Sequence, residues 1–255
     1  MKYITPKKSL GQHFLNDKSI AEKIVSSLRA DGIRHVIEVG PGMGALSPFL
    51  LQEERFDTRF VEIDAAAAEY LKTQYPAIND KLIVADFLRC PLDTYFGKEP
   101  LAVIGNFPYN ISSQIFFKVL DHRSQVKEVV GMLQKEVAER IAASPGSKTY
   151  GITSVLLQAF YDIEYLFTVH EHVFTPPPKV KSAVIRLIRN KVEKLPCDET
   201  MFFRVVKTAF NQRRKMLGNS LKSLLPAGHS SGHILTKRPE QLGIQEFIEL
   251  TLSLE

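Results

Sequence analysis

The run Gly105-Asn106-Phe107-Pro108-Tyr109-Asn110 holds residue types that suit group transfer to a planar amine. The lone pair of such an amine is delocalised into its ring, which makes the nitrogen a poor nucleophile. Two hydrogen-bond acceptors aimed at its hydrogens favour a pyramidal nitrogen. The Asn106 side-chain oxygen can supply one, and a backbone carbonyl at Phe107 or Pro108 the other. Pro108 has no N–H and stiffens the turn. Tyr109 can stack on the planar group that carries the amine. If the transferred group is already activated, no strong base is needed, and positioning and local electrostatics supply most of the acceleration. Read alone, the same residues also make an ordinary turn after a strand.

A second run, Glu38-Val39-Gly40-Pro41-Gly42-Met43-Gly44-Ala45, follows an apolar stretch. Glycines there let a nucleotide-like ligand approach the backbone and let the next helix start tightly. The span also satisfies G-x-G-x-x-A, so a dinucleotide is a candidate beside S-adenosylmethionine. Glu62 lies where an acid would bind ribose hydroxyls, which both ligands require. Glu38 within the strand before the loop, and Asp86 placed to accept from an adenine amine, favour the methyl donor.

These residues need a frame. Strands are expected at His35–Val39, Thr58–Asp64, Lys81–Asp86, Leu101–Asn106 and Val126–Leu133, with helices over Ala65–Gln74 and Ser112–Leu120. Such alternation predicts a doubly wound α/β fold with a parallel sheet. Glu62 (or Asp64), Asp86 and Asn106 then stand at the carboxyl ends of strands, where open α/β sheets bind ligands. Ile163–Val169 and Ser182–Ile188 read as later strands, the second with Ala183, Ile185 and Leu187 on one face. Lys191–Glu199, with Pro196, reads as a linker. Beyond it, Phe202, Val205, Val206, Ala209 and Phe210 follow helical spacing. Further helices are expected over Met216–Leu225 and Gln245–Leu252. The expected division is a first domain over residues 1–190 and a small helical domain over 191–255.

The 255 residues carry a formal charge of +5, a mild excess that selects no partner by itself. Its placement is more telling. Met201–Leu225 holds Arg204, Lys207, Arg213, Arg214, Lys215 and Lys222 and no acid. Pro176–Val192 holds Lys179, Lys181, Arg186, Arg189 and Lys191, again without an acid. Solvated helix faces usually mix signs, so both stretches point to phosphate contact. Cys90 and Cys197 lack the spacing of a disulfide framework or zinc site. His229 and His233 are four apart, but the intervening Ser and Gly predict a loop rather than a metal site, and His170 and His172 read as loop residues. No apolar run is long enough to span a membrane, and the first residues lack a leader, so a cytoplasmic protein is expected.

Taken in order, the segments Lys8–Leu15, Glu38–Gly44, Val61–Asp64, Asp86, Gly105–Asn110, Phe174–Val180 and Phe210–Lys215 resemble the ribosomal RNA adenine dimethyltransferase family over nearly the whole chain. The Asn-Phe-Pro-Tyr run itself is similar to the [DNS]-P-P-[YFW] motif of enzymes that methylate exocyclic amines. The likeness is greatest to the branch that dimethylates two adjacent adenines near the 3′ end of small-subunit (16S) rRNA. It implies a class I, Rossmann-like methyltransferase domain that uses S-adenosyl-L-methionine. It also implies a monomer acting on rRNA within a 30S subunit or precursor, during ribosome biogenesis. By the same resemblance His13 and Leu15 would close over the methionine part of the donor, Gly40 would lie under it, and Gln12 would also belong to the donor site. Glu62 would hold the ribose and Asp86 the adenine, while Asn106 would contact both donor and target amine. Catalysis would rest on Asn106, Phe107, Pro108 and Tyr109. Phe174 would stack on the target adenine opposite Tyr109, though a core aromatic is an equal reading. Arg213, Arg214 and Lys215 would contact RNA. Position 107 departs from the branch, where Leu is more usual.

Three other readings compete. Large-subunit rRNA methyltransferases of the antibiotic-resistance type share the chemistry, but Asn110 and the Asn211–Lys215 tract argue against them. An RNA-binding assembly or transcription factor could keep the fold without activity, yet Asn106, Pro108 and Tyr109 are all present. An NAD-dependent oxidoreductase would need a second catalytic constellation, and none is evident.

Overall fold

A computed structural model of the chain describes residues 6–7, 10–226 and 232–255. His229, and Lys8 and Ser9 of the N-terminal motif, lie outside the described residues. The strands are β1 (Phe14–Leu15), β2 (His35–Val39), β3 (Asp57–Glu62), β4 (Leu82–Val84), β5 (Leu101–Asn106), β6 (Val126–Gln134), β7 (Tyr161–Val169), β8 (Phe174–Thr175) and β9 (Ser182–Arg189). The helices are α1 (Lys18–Ser26), α2 (Ser47–Gln52), α3 (Ala65–Gln74), α4 (Leu92–Phe96), α5 (Ser112–Asp121), α6 (Lys135–Ile141), α7 (Ile152–Gln158), α8 (Glu199–Asn211), α9 (Leu217–Ser220) and α10 (Ile244–Leu252).

Seven strands form one sheet in the order β4-β3-β2-β5-β6-β9-β7. β2 pairs in parallel with both β3 and β5, β5 in parallel with β6, and β9 runs antiparallel to β6. The chain winds outward from β2 to β4, then returns to β5 on the other side of β2. The carboxyl ends of β2 and β5 therefore flank a switch point, the crevice where such sheets bind ligands. The strand sequences are apolar in consecutive positions because both faces are covered. Val36, Ala102, Ile104, Val130, Met132 and Val184 join one core with Ile24 and Val25 of α1 and Leu50 of α2. The alternate residues Ile37, Val103, Val129 and Leu133 point the other way and are fully buried as well.

Two strand ends differ from expectation because their acids leave the ladder and cap the next helix or turn. Asp64 accepts from the Ala66 N–H at 3.0 Å as the N-cap of α3. Asp86 accepts from the Leu88 N–H at 2.9 Å and starts a turn over Phe87–Arg89. β9 does not show one buried and one exposed face. It lies inside the sheet, and every residue from Ser182 to Leu187 is buried. The helix expected over Met216–Leu225 is only Leu217–Ser220, a segment holding Gly218, Asn219 and Ser220, which favour helix weakly.

The chain divides into two compact units, one through Ala138 together with Glu164–Arg189, the other Glu139–Ile163 together with Asn190–Glu255. A single cut at residue 190 misses the return of 139–163 to the second unit. That segment contributes α7, whose Val155, Leu156 and Leu157 are buried, and Tyr150, whose ring meets Phe210 of α8 at 6.1 Å. Phe210 in turn meets Phe247 of α10 at 5.9 Å. Its apolar spacing marks α8, but nothing in the sequence of 139–163 names its partner.

Candidate active site

A cavity of about 680 Å³ opens at the switch point in the first unit. Its wall includes Gln12, His13, Leu15, Gly40, Glu62, Asp86, Asn106, Phe107, Pro108 and Tyr109. Phe174, Arg213, Arg214 and Lys215 are not among the lining residues.

The floor is the turn after β2. Gly40 adopts φ of +66° and Gly42 +58°, backbone that side chains disfavour. A Cβ on Gly42 would also sit 3.2 Å from the Phe14 ring. Glu62 stabilises this turn from the end of β3. One of its carboxylate oxygens accepts from the Gly42 N–H at 2.9 Å and the other from the Asp64 N–H at 2.8 Å. Burial pushes the Glu62 pKa up, against those backbone bonds. Glu38 lies deeper, only 2% exposed, and accepts from the Ser47 hydroxyl at 2.7 Å. Burial, reinforced by the Glu62 charge, raises its pKa to about 8.

The N-terminal segment forms the roof. The Asn106 Nδ2 donates to the His13 carbonyl at 3.0 Å. The His13 Nδ1 lies 2.8 Å from the Pro176 carbonyl. Lys7 pairs with Asp64 at 2.7 Å, and Gln12 donates to Asp64 at 3.4 Å. Burial pushes the Asp64 carboxyl up, but Lys7 and the Ala66 N–H outweigh it and hold it below the usual range.

Beyond β5, the four residues of the Asn-Phe-Pro-Tyr run divide sharply. The Asn106 amide has its nitrogen committed to His13, which leaves Oδ1 as its acceptor. Phe107 turns away: its ring is 1% exposed and meets Phe116 of α5 edge-on at 5.8 Å. Only its backbone can serve the cavity, and its N–H already donates to the Met132 carbonyl at 2.9 Å. Tyr109 stands at the edge of the cavity, its ring 5.3 Å from that of His13. Burial raises its phenol pKa, opposed by a 2.6 Å bond to Ser182.

The expected Phe174 face is covered. β8 pairs antiparallel with β1, Leu15 opposite Phe174, and the ring is 2% exposed within the core. Two cations of the Pro176–Val192 stretch are also structural. Arg186 is buried, bonded to Glu164 and to the Ser27 carbonyl, and Arg189 donates to the Arg123 carbonyl. In the second unit Arg213 is half-buried, donating to the Ser147 carbonyl at 3.2 Å beside Glu240, whereas Arg214 and Lys215 are exposed.

The wall fits S-adenosylmethionine. Its volume lies within the roughly 300–1,000 Å³ of small-molecule sites, and acids stand at two strand ends. Ile63, 53% exposed and in the cavity wall, adds apolar surface that strand patterning did not reveal. Phe14, within the Lys8–Leu15 segment, also lines the cavity, a part the sequence did not single out. A lone aromatic in a polar N-terminal segment carries no sequence signal of its own.

Residues 4–243 match the family described as ribosomal RNA adenine dimethylase. A protein of Cytophaga hutchinsonii named ribosomal RNA small subunit methyltransferase A is 58% identical over 253 residues, covering 98% of each chain. One of the same name from Flavobacterium johnsoniae is 54% identical, covering all of this chain and 98% of its own. Among solved structures, a dimethyladenosine transferase from Plasmodium falciparum aligns with TM-score 0.78 at 25% identity, covering 94% of this chain and 96% of that one. The 23S rRNA methyltransferase ErmE aligns with TM-score 0.70 at 25% identity, covering 93% and 99%.

Proposed function

Because the chain belongs to the ribosomal RNA adenine dimethylase family, we propose how its residues divide the work of methylating adenine N6. The fold is the doubly wound, Rossmann-like methyltransferase fold. The enzyme is an S-adenosylmethionine-dependent rRNA adenine dimethyltransferase, and its substrate is small-subunit rRNA. Full-length identity of 58% to a small-subunit enzyme, against 25% to the 23S enzyme, favours that branch over the resistance type. The oxidoreductase and non-catalytic readings fall with the same membership.

S-adenosylmethionine, when bound, supplies a methyl group already activated on a sulfonium. We assign the remaining work to the protein. Gly40 lies under the donor, Glu62 holds its ribose and Asp86 its adenine, while Gln12, His13 and Leu15 cover the methionine part. Asn106 Oδ1 accepts from the target amine, and the carbonyl of Phe107 or Pro108 accepts its second hydrogen. Together they favour the pyramidal nitrogen that attacks. The N–C bond forms as the methyl–sulfur bond breaks to leave a neutral thioether, and the acidic proton of the alkylated nitrogen then passes to solvent, so no strong base is required. Tyr109 offers its ring to the extruded base. Phe174 lines no part of the cavity and its ring is buried in the core, so stacking by it requires that ring to move out of its packing. Arg214 and Lys215 contact RNA phosphates, with Arg204 and Lys207 on α8. The finer substrate is two adjacent adenines near the 3′ end of 16S rRNA, presented to a monomer in the cytoplasm by a 30S subunit or precursor.

The observation that carries this reading is the anchored Asn106 amide at the end of β5, its nitrogen held by His13 and its oxygen left as acceptor. The test is transfer from labelled S-adenosylmethionine to unmethylated small or large subunits, followed by nucleoside analysis. N6,N6-dimethyladenosine confined to the small subunit, and lost with Asn106→Ala, is expected. Dimethyladenosine confined to the large subunit would move the enzyme to the other branch.

A further inference from the structure

The phenol of Tyr109 is bonded to Ser182, a residue outside the cavity wall. The two oxygens lie 2.6 Å apart, and Ser182 is fully buried. The topology explains how they meet. β9 runs antiparallel to β6, with Ser182 opposite Gln134. The first residue of β9 is thereby at the carboxyl edge of the parallel strands, where β5 delivers Tyr109 through the Asn-Phe-Pro turn. The Lys135 N–H donates to the Lys181 carbonyl at 2.9 Å and extends the pairing just beyond that edge.

We infer that Ser182 is a positioning residue for methyl transfer, holding the Tyr109 ring so that its face, not its hydroxyl, bounds the target-base pocket. The ring is held at three points. Pro108 stiffens the chain before it. The His13 ring stands against it at 5.3 Å with planes inclined by 31°. Ser182 fixes the far end of the phenol. Without that bond the ring is free to swing about its Cα–Cβ and Cβ–Cγ bonds, and the surface offered to the base loses its fixed position beside Asn106. With the hydroxyl engaged on a buried partner, the ring edge is fixed and the base meets a surface that is sequence-tolerant but geometrically defined. This matters twice per base, because the monomethylated amine must return to the same geometry for the second transfer. Small errors in position reduce rates steeply.

The inference rests on the assignment of Tyr109 to the target base, and the test separates the two. Ser182→Ala, Tyr109→Phe, the double variant and Tyr109→Ala are compared in single-turnover transfer to unmethylated small subunits. S-adenosylmethionine affinity and the ratio of monomethyl- to dimethyladenosine at matched extent are also measured. Ser182→Ala and Tyr109→Phe should each slow transfer about tenfold and raise the monomethyl share. The double variant should be no slower than either, and donor affinity should not change. Normal rate and product ratio in both single variants would overturn the inference, as would additive losses or a loss that tracks donor affinity. If Ser182→Ala does not fold, Tyr109→Phe removes the same bond from the cavity side and decides alone. A normal rate in Tyr109→Ala would overturn the assignment of Tyr109 itself.

Discussion

The Asn106 side-chain nitrogen donates to the His13 backbone carbonyl across 93 residues of sequence, at 3.0 Å. A carbonyl can only accept, so this contact fixes which end of the Asn106 amide faces the N-terminal segment. One bond thus orients the proposed catalytic acceptor and ties down the roof of the cavity. Asn106→Asp should break both functions, because a carboxylate cannot donate to His13 and repels its carbonyl. Titration with S-adenosylmethionine should show weaker binding, and transfer should fall about 10²-fold or more. Asn106→Ala should lose a similar factor in rate. Normal rates in both variants would remove Asn106 from the mechanism.

Phe107 fills space that two glycines leave open. A Cβ on Gly131 of β6 would collide with the Phe107 ring, and one on Gly105 would lie 2.9 Å from it. Gly131→Ala should therefore destabilise the protein by about 1–3 kcal/mol in denaturant unfolding. Phe107→Leu alone should cost about 1–2 kcal/mol yet keep methyl transfer within a few-fold, since the backbone of residue 107 is what faces the cavity. Combined, the two changes should be less than additive. Full additivity would mean the ring and Gly131 do not share that space.

Glu38 gives stability an unusual pH slope. Its pKa rises from 4.5 in its ordinary state to about 8 in the fold. Between those values the folded protein binds the extra proton, so stability is fully present at low pH and is lost as pH climbs toward 8. Acid unfolding of other groups sets the lower limit. The thermal midpoint should drop by several degrees between pH 5 and pH 8. Glu38→Gln, whose side-chain oxygen can still accept from Ser47, should flatten most of that slope and be the more stable form at pH 8. A slope unchanged by the substitution would assign it to other groups.

The frame was legible where local chemistry and burial agree. β2 and β5 coincide with the expected His35–Val39 and Leu101–Asn106, and α3 with Ala65–Gln74. Short, mostly apolar runs ended by Gly40, or by Gly105-Asn106 two residues before Pro108, leave few alternatives. The cavity residues were legible too, because strand-end acids and a glycine turn state their position in the sequence itself. What failed depends on partners far along the chain. Phe174 shows no face because it packs into the core together with Leu15 of β1, its register partner from the far N-terminal end of the chain. Arg186 looked like one of five phosphate ligands, but Glu164 and the Ser27 carbonyl take it into the interior. A charge count cannot tell a surface cation from a buried one.

The same distinction separates neighbouring residues after α8. Arg213 is bonded to the Ser147 carbonyl and stands 3.9 Å from the Glu240 carboxylate, while Arg214 and Lys215 are exposed. Arg213→Ala should lower stability by about 1 kcal/mol, because it strips a partner from a mostly buried acid. Arg214→Ala with Lys215→Ala should leave unfolding unchanged and weaken rRNA binding. Each phosphate contact contributes roughly 0.7–0.9 to the slope of log affinity against log salt. The double variant should therefore flatten that slope by about 1–2, whereas Arg213→Ala should flatten it less. Measuring affinity for unmethylated small subunits across a salt series, beside thermal unfolding, separates the two roles. An unchanged salt slope in the double variant would place the RNA elsewhere on the protein.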